Sequence, residues 1–419
     1  MKHNEPIDEK KQVEESPKSV LEQIIQEGAR RLLQAAIENE VAEYVERFKE
    51  LKNEKGHRMV VRNGSSPERM LATGVGSLKI RQPRVHDKRE GASFTSSILP
   101  RYMRRVPTID KLLPVLYLKG ISTGDMASAL ESILGPDAPG LSATNIVRLK
   151  RLWEAEFKEW SHRDLAGQRY VYVWVDGIYF NVRLEEPDTN KICFLIVMGA
   201  RENGKKELLA ILDGYRESKA SWLEVLSNLK ERGLTEGPKL ATGDGSLGFW
   251  AALPEVYPET KEQRCWVHKT ANILDKMPGS VQPKAKEKIH DMYLAPTKEQ
   301  ALVAFNSFLS LYSTKFPKAC ACLTKDRDVL FTFYDFPAEH WIHLRSTNPI
   351  ESTFATVRHR TKRTKGCGTR LATLTMVFKL CKQAEKTWKR IKGYRLIAQV
   401  MHGVRFVDGE VADEAIQAA

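Results

Sequence analysis

The chain has 419 residues, 42 % of them hydrophobic and 28 % charged, a composition that describes a globular protein and excludes a fibrous or wholly disordered one. Its net charge of +13 points to a polyanionic partner. No stretch approaches the roughly 18 apolar residues of a membrane span, Met1–Ser19 has no apolar signal core, and six cysteines in so long a chain argue for reduced thiols, so a cytoplasmic protein with no membrane partner is expected.

Residues 1–18 are polar and read as a disordered N-terminus. Ser19 with Glu22 forms a capping box, and Leu21, Ile24, Ile25, Leu32, Leu33, Ala36, Ile37 and Val41 follow at helical spacing, which predicts a helix with a core-facing stripe. Between Met59 and Arg105 come short pieces punctuated by Gly and Pro and rich in Arg, with Val75–Arg81 as a short strand. Residues 19–106 are therefore expected to be a helix plus a small basic DNA-binding module. Residues 107–168 read as three helices, the second from Ser122 and the third from Ser142, with a turn at Gly135–Gly140. They suggest a helix-turn-helix-like DNA-binding domain or a plain helical linker.

At Arg169 the pattern changes. Tyr170–Val175 is apolar on both faces, as in a central strand; Ile178–Arg183 and Ile192–Gly199 are further strands, and Glu207–Leu212 is a fourth extended piece. A helix over Ser218–Arg232, a strand over Lys239–Thr242, a helix over Phe249–Val256 and a strand over Arg264–Val267 complete a β-β-β-α-β-α-β order. Such an order suits an α/β fold with a ribonuclease-H-like mixed sheet. The core would occupy 169–270, an all-helical insertion 271–340, and the last part of the core 341–400, with Trp341–Arg345 extended, a helix from about Asn348 and a long basic helical tail; 401–419 is a C-terminal tail.

Three acids sit where buried elements end: Asp176 after the apolar strand, Asp244 after Lys239–Thr242, and Glu351 at the start of a helix. Acids at the ends of adjacent strands can share divalent ions, and a pair of such ions about 4 Å apart can activate a nucleophile and stabilise the leaving oxygen of a phosphodiester. Each acid also has a purely structural reading. Asp176-Gly177 is a type I′ hairpin signal. Gly243-Asp244-Gly245 is a turn signal. Asn348-Pro349-Ile350-Glu351 is a helix start with Asn as N-cap.

Four stretches decide between these readings: VWVDGIYF (Val173–Phe180), TGDGSLGFWAAL (Thr242–Leu253), QRCWVHKTANIL (Gln263–Leu274) and STNPIESTFATVRHRTK (Ser346–Lys362). In this order, with a helical insertion between the third and fourth, they resemble the bacterial insertion-sequence transposases related to the Mutator elements. Arg62–Arg84 and Tyr117–Thr123 fit the same family, and the resemblance spans roughly residues 20–400. It implies a ribonuclease-H-like core, DDE chemistry and Mg²⁺, with Mn²⁺ as a substitute. Asp176, Asp244 and Glu351 would be the catalytic metal ligands. One departure is Phe354, where relatives carry Asn three positions after the glutamate.

Around these acids, Cys265 and His268, Asn348 and Arg358 are expected to support the site. The Cys-x-x-His pair supplies two ligands where a structural zinc needs four. Cys320 and Cys322 could complete such a site in principle, but a bracing role is expected and zinc is not. Residues 355–395 hold 13 Lys and Arg against one acid, Glu385, which suits phosphate contact, and Arg360, Lys362, Arg363 and Lys365 follow Glu351 on the same helix and its end.

The expected function is thus a transposase that binds the terminal inverted repeats of its element through its first 168 residues. Water would attack a phosphodiester at the element's end, and the freed 3′-hydroxyl would then attack target DNA. Its partner is double-stranded DNA, both transposon ends and target, held by a homodimer or higher oligomer. The alternatives are a catalytically silent DNA-binding regulator on the same scaffold, or a metal-dependent nuclease without strand transfer.

Overall fold

The computed structural model describes residues 19–121, 125–134, 143–182, 191–214, 216–245, 247–363 and 368–412. The chain forms two compact units, Met1–Val147 and Arg148–Ala419. Among the described residues no helix is long and apolar enough to cross a membrane.

The first unit begins with α1 (Val20–Arg47), closed at its start by the expected capping box of Ser19 and Glu22. Four short strands follow: β1 (Val60–Ser65), β2 (Arg69–Thr73), β3 (Gly76–Ile80) and β4 (Pro83–Asp87). β2 and β3 form an antiparallel hairpin, and β1 pairs antiparallel with β4. Leu71, Leu78, Ile80 and Leu99 bury Ile37 of α1, with Ala29 and Leu33 packed at the margin. The expected core stripe of α1 is therefore corrected. Leu21, Ile24 and Leu32 are 65 %, 64 % and 74 % exposed, and only Ile37 and Val41 are buried. A helix of this length runs roughly 42 Å, and short hairpins cover only part of it. The unit continues with α2 (Pro107–Leu118) and α3 (Met126–Leu134), where Ile109, Leu113, Met126 and Leu130 form a second small core. Ser122, the turn over Gly135–Gly140 and Ser142 lie outside the described residues.

In the second unit, α4 (Ala143–Ser161) leads to a five-stranded mixed sheet of order β7-β6-β5-β8-β9. Its strands are β5 (Tyr170–Asn181), β6 (Lys191–Arg201), β7 (Lys206–Gly214), β8 (Leu240–Gly243) and β9 (Lys261–Arg264). The first three form an antiparallel meander, and β8 and β9 join parallel to β5. Helices α5 (Lys219–Glu231) and α6 (Leu247–Val256) complete a β-β-β-α-β-α-β order, which agrees with the expected one in count because β5 replaces its first two strands and the fourth extended piece, Glu207–Leu212, is the third strand, β7. Along β5, alternate residues face opposite sides. Val173 and Val175 join Leu195, Val197, Trp222, Phe249 and Leu253 in the core under α5 and α6. Tyr172 and Trp174 point the other way, toward the segment around His340–His343.

Residues 266–344 are helical: α7 (Trp266–Leu274), α8 (Gln282–Tyr293), α9 (Lys298–Tyr312), α10 (Pro317–Thr324), α11 (Arg327–Leu330), two 3₁₀ turns and α12 (Trp341–Leu344). The chain then forms α13 (Asn348–Arg363), α14 (Arg370–Glu385), α15 (Ile397–Met401) and a small hairpin of β10 (Phe406–Val407) and β11 (Glu410–Val411).

Three local expectations are overturned. The two strands expected to flank Asp176-Gly177 are one continuous strand, β5, because both residues pair with β6 opposite Ile196 and Leu195 and leave no place for a hairpin. Arg264–Val267 divides into the end of β9 and the start of α7, since Arg264 pairs with Gly243 while Lys269 N–H already bonds the Cys265 carbonyl. Trp341–Arg345 is helical rather than extended, with Arg345 N–H returning to the Trp341 carbonyl.

Burial along α1 makes a testable division. Ile37→Ala should lower stability by about 2–4 kcal/mol, and Leu32→Ala should change it by less than about 0.5 kcal/mol. Denaturant midpoints measure both; equal losses would mean that the exposed half of α1 is packed in solution.

Candidate active site

The parallel pairing of β5 with β8 sets the geometry. Tyr172 pairs with Leu240, Val173 with Ala241 and Trp174 with Thr242. Two residues further on, the same register brings Asp176 beside Asp244, which directly follows β8. Adjacent strands lie about 4.8 Å apart, so Asp176 on β5 and Asp244 just past the end of β8 each stand two residues beyond the Trp174–Thr242 pair, on the side of the sheet that carries those two residues. Gly243 is required here by close approach. A Cβ at this position would lie 2.9 Å from Val175 Cγ2 and 3.0 Å from Trp250 Cζ2. The Trp250 indole N–H donates to the Asp244 carbonyl at 2.7 Å and fixes the turn.

On the same face, the segment before α13 is fastened to the sheet. The Trp174 indole donates to the His343 carbonyl at 2.8 Å, and the Thr242 hydroxyl donates to the Leu344 carbonyl at 3.1 Å. Trp266 N–H donates to the Arg345 carbonyl at 2.9 Å. These bonds fix where α13 starts, and Glu351 lies in its first turn, where the helix dipole favours a carboxylate. The helix begins at Asn348 itself, one residue earlier than a cap at Asn348 would allow, and Asn348 is exposed.

Glu351 is held from beneath. Thr347 Oγ1 lies 2.6 Å from Glu351 Oε1, 3.3 Å from Cys265 Sγ and 3.5 Å from His268 Nδ1, and its single proton belongs on the shortest contact, to Glu351. Thr347 N–H also donates to Cys265 Sγ at 3.3 Å, and His268 Nε2 stands 3.7 Å from Glu351 Oε1. Cys265, His268 and Glu351 thus form one cluster that could hold a metal ion. Cys320 and Cys322, on α10, are not part of it.

The electrostatics of this region favour a cation. Burial pushes the Asp176 carboxyl up to about 7, Asp244 and Glu217 add to the rise, and His268 opposes it. A hydrogen bond to Cys265, together with the charges of Glu351 and Asp176, raises His268 to about 9. Neighbouring negative charges raise the proton affinity of the buried Asp176 carboxyl, and carboxylate oxygens suit Mg²⁺ or Mn²⁺. The residues therefore fit a divalent cation.

The remaining expected site residues fall in different places. Phe354 is fully buried, so an apolar contact replaces the polar one that Asn would make, and the exposed Arg358 stacks over its ring at 5.7 Å. Arg360, expected among the DNA-facing cations, is corrected: it is 3 % exposed. Lys365 lies outside the described residues, and of Lys362 and Arg363 only the backbone, at the end of α13, is described. The basic tail also divides. Arg370 makes a two-pronged pair with Asp213 at 2.8 and 2.9 Å, Lys379 pairs with Glu156 and Lys382 with Glu385, whereas Lys386, Lys389, Arg390, Lys392 and Arg395 are at least partly exposed. The Trp388 indole donates to Thr353 Oγ1 at 3.2 Å and ties that run to α13. Sequence reasoning passed over Thr347, Trp250 and Glu217. A Thr before Asn-Pro is a cap signal, but nothing in the spacing marks the other two.

With this geometry in view, residues 1–391 match the family model described as "Transposase, Mutator family". The transposase for insertion sequence element IS6120 of Mycolicibacterium smegmatis is 50 % identical over 305 residues, covering 73 % of this chain and 93 % of the relative. That for IST2 of Acidithiobacillus ferrooxidans is 49 % identical over 291 residues, covering 68 % and 95 %. A solved Drosophila P element transposase strand transfer complex aligns over 73 % of this chain and 84 % of its own, at 9 % identity and a TM-score of 0.27, too low to carry an argument about fold. The chain belongs to the Mutator family of transposases. It is the transposase of an insertion sequence, an enzyme that cuts and rejoins DNA strands.

Asp176 gives a pH prediction. Its folded value of about 7 lies above the usual carboxylate value of about 4, so its contribution to stability is complete at low pH and is lost as pH rises through 7. In EDTA, the melting temperature should fall between pH 4 and pH 7, and Asp176→Asn should flatten that fall. At pH 8, added Mg²⁺ should raise the melting temperature of the wild type and not of the variant. An unchanged pH profile in the variant would contradict this account.

Proposed function

We propose that this transposase binds the terminal inverted repeats of its element and performs metal-dependent cleavage and strand transfer at Asp176, Asp244 and Glu351, on a sheet of the ribonuclease-H-like type. The observation that carries the proposal is the parallel pairing of β5 with β8, which leaves Asp176 and Asp244 each two residues past the Trp174–Thr242 pair, while the segment leading to Glu351 is bonded to Trp174 and Thr242.

Mg²⁺, with Mn²⁺ as substitute, would supply Lewis-acid activation of the attacking hydroxyl and charge stabilisation at the leaving oxygen. Asp176 on β5 and Asp244 just past β8 would hold the cation, and Glu351 would complete the donor set from α13. Thr347 and His268 orient the Glu351 carboxylate, with Cys265 packed beneath them. Water attacks first, leaving a 3′-hydroxyl at the element's end; that hydroxyl then attacks a target phosphodiester in the same site. Two ends have to be joined, so a homodimer or larger assembly acts on DNA. The first 168 residues read the ends, and the cations Lys386, Lys389, Arg390, Lys392 and Arg395 hold the backbone.

Asp176→Asn should abolish cleavage of end-containing DNA and leave its binding within about threefold, because the affinity resides elsewhere. A gel assay on one labelled substrate measures both, and equal loss of the two would assign Asp176 a folding role instead.

The tail makes a separate prediction. Replacing Lys386, Lys389, Arg390 and Lys392 with Ala should weaken binding to end and random DNA alike and reduce the salt slope by up to about 0.9 for each phosphate that is no longer neutralised. Loss of end preference with random-DNA affinity unchanged would make this segment the reader of sequence.

A further inference from the structure

Glu217 lies in the short connection between β7 and α5, just before Ser218, whose side chain accepts from Ser221 N–H at the start of α5. Two glycines make room for it. A Cβ on Gly177 would lie 2.5 Å from Glu217 Oε1, 2.6 Å from its Cδ and 2.8 Å from its Cγ. A Cβ on Gly248, at the start of α6, would lie 2.1 Å from the Glu217 carbonyl oxygen. The Glu217 carboxylate therefore rests directly on the β5 backbone at the residue after Asp176, with its main chain pressed against α6. The Tyr179 hydroxyl hydrogen-bonds it from two residues further along β5.

The position of this carboxylate is specific. Gly177 points to the opposite side of the sheet from Asp176, so the two acids flank one strand. β8 ends at Gly243 whereas β5 runs on to Asn181, so past Asp244 the edge of β5 on that side is unpaired by β8. Glu217 meets β5 at Gly177, the residue after Asp176, and the charges of Asp244 and Glu217 both act on Asp176. Acids gathered in this way repel one another, and a shared divalent ion relieves that repulsion.

We propose that Glu217 is a fourth carboxylate of the active site, a positioning residue that raises the site's affinity for the divalent cation held by Asp176 and Asp244. The inference rests on the metal-dependent reading given above. It concerns the cation and its hydration, not a direct contact with DNA. Outer partners of a metal site typically change its affinity 10- to 100-fold.

The test is a Mn²⁺ titration of the full-length protein by calorimetry, with Asp176→Asn, Glu217→Gln and Gly177→Ala beside the wild type. Glu217→Gln keeps the shape and removes the charge. Gly177→Ala keeps the Glu217 charge and displaces its side chain from Cγ outward, since a Cβ there would lie 2.8 Å from Cγ, 2.6 Å from Cδ and 2.5 Å from Oε1. Both should weaken Mn²⁺ binding at least tenfold while the far-UV spectrum stays unchanged. In cleavage assays both should need correspondingly more Mn²⁺ for half-maximal rate, with much of the maximal rate recovered at saturation. Wild-type Mn²⁺ affinity in Glu217→Gln, with binding abolished in Asp176→Asn, would overturn the role of Glu217 alone. Wild-type affinity in Asp176→Asn would overturn the underlying metal site.

Discussion

The parallel pairing of β5 with β8 is the constraint on which the site depends. It is a short ladder, from Tyr172–Leu240 to Trp174–Thr242, yet it fixes the register that brings two aspartates 68 residues apart in sequence to matched positions. A slip of one residue would turn every side chain of β8 to the other face and separate Asp244 from Asp176. The register is secured from both sides of the sheet. Val173 and Val175 are buried under α5 and α6, and Trp174 and Thr242 are bonded to the carbonyls of His343 and Leu344. Those two bonds also determine where α13 begins, so the same interactions that set the strands deliver Glu351.

The helical region between Asp244 and Glu351 is therefore more than a spacer. Its first helix, α7, carries His268 near its start, with Cys265 just before it, and Thr347 connects both to the glutamate. Each partner fixes the next, so the carboxylate reaches the site in one orientation. Preorganisation of this kind matters for phosphoryl transfer, where positioning and charge stabilisation do most of the work. The arrangement of Cys265, His268 and Thr347 gives the Cys-x-x-His spacing a physical task, bracing Glu351.

Much of this was legible in the sequence. Periodicity gave the order of strands and helices in the core, because strands buried on both faces and amphipathic helices leave unlike patterns. The three acids stand out in the sequence only through the stretches around them, since each alone is an ordinary turn or helix-start signal. Asp176-Gly177 has the composition of a hairpin turn, and only pairing with β6 shows a strand running through it. The glycine instead admits Glu217, a contact between distant segments that local composition cannot encode. The basic tail reads as a single cationic face, but Arg360 is buried and Arg370, Lys379 and Lys382 are paired internally. Charge alone does not distinguish a cation that holds the fold from one that faces solvent. α1 shows the converse, with helical apolar spacing that continues well past the surface available to bury it.

The central claim is that Asp176, Asp244 and Glu351 share divalent cations. Crystals of the protein soaked in Mn²⁺, with anomalous scattering collected at the manganese edge, test it most directly. The account predicts at least one peak within coordination distance of Asp176 and Asp244, on the side of the sheet that carries Glu351. Well-ordered crystals with manganese bound elsewhere and none at these carboxylates would contradict it.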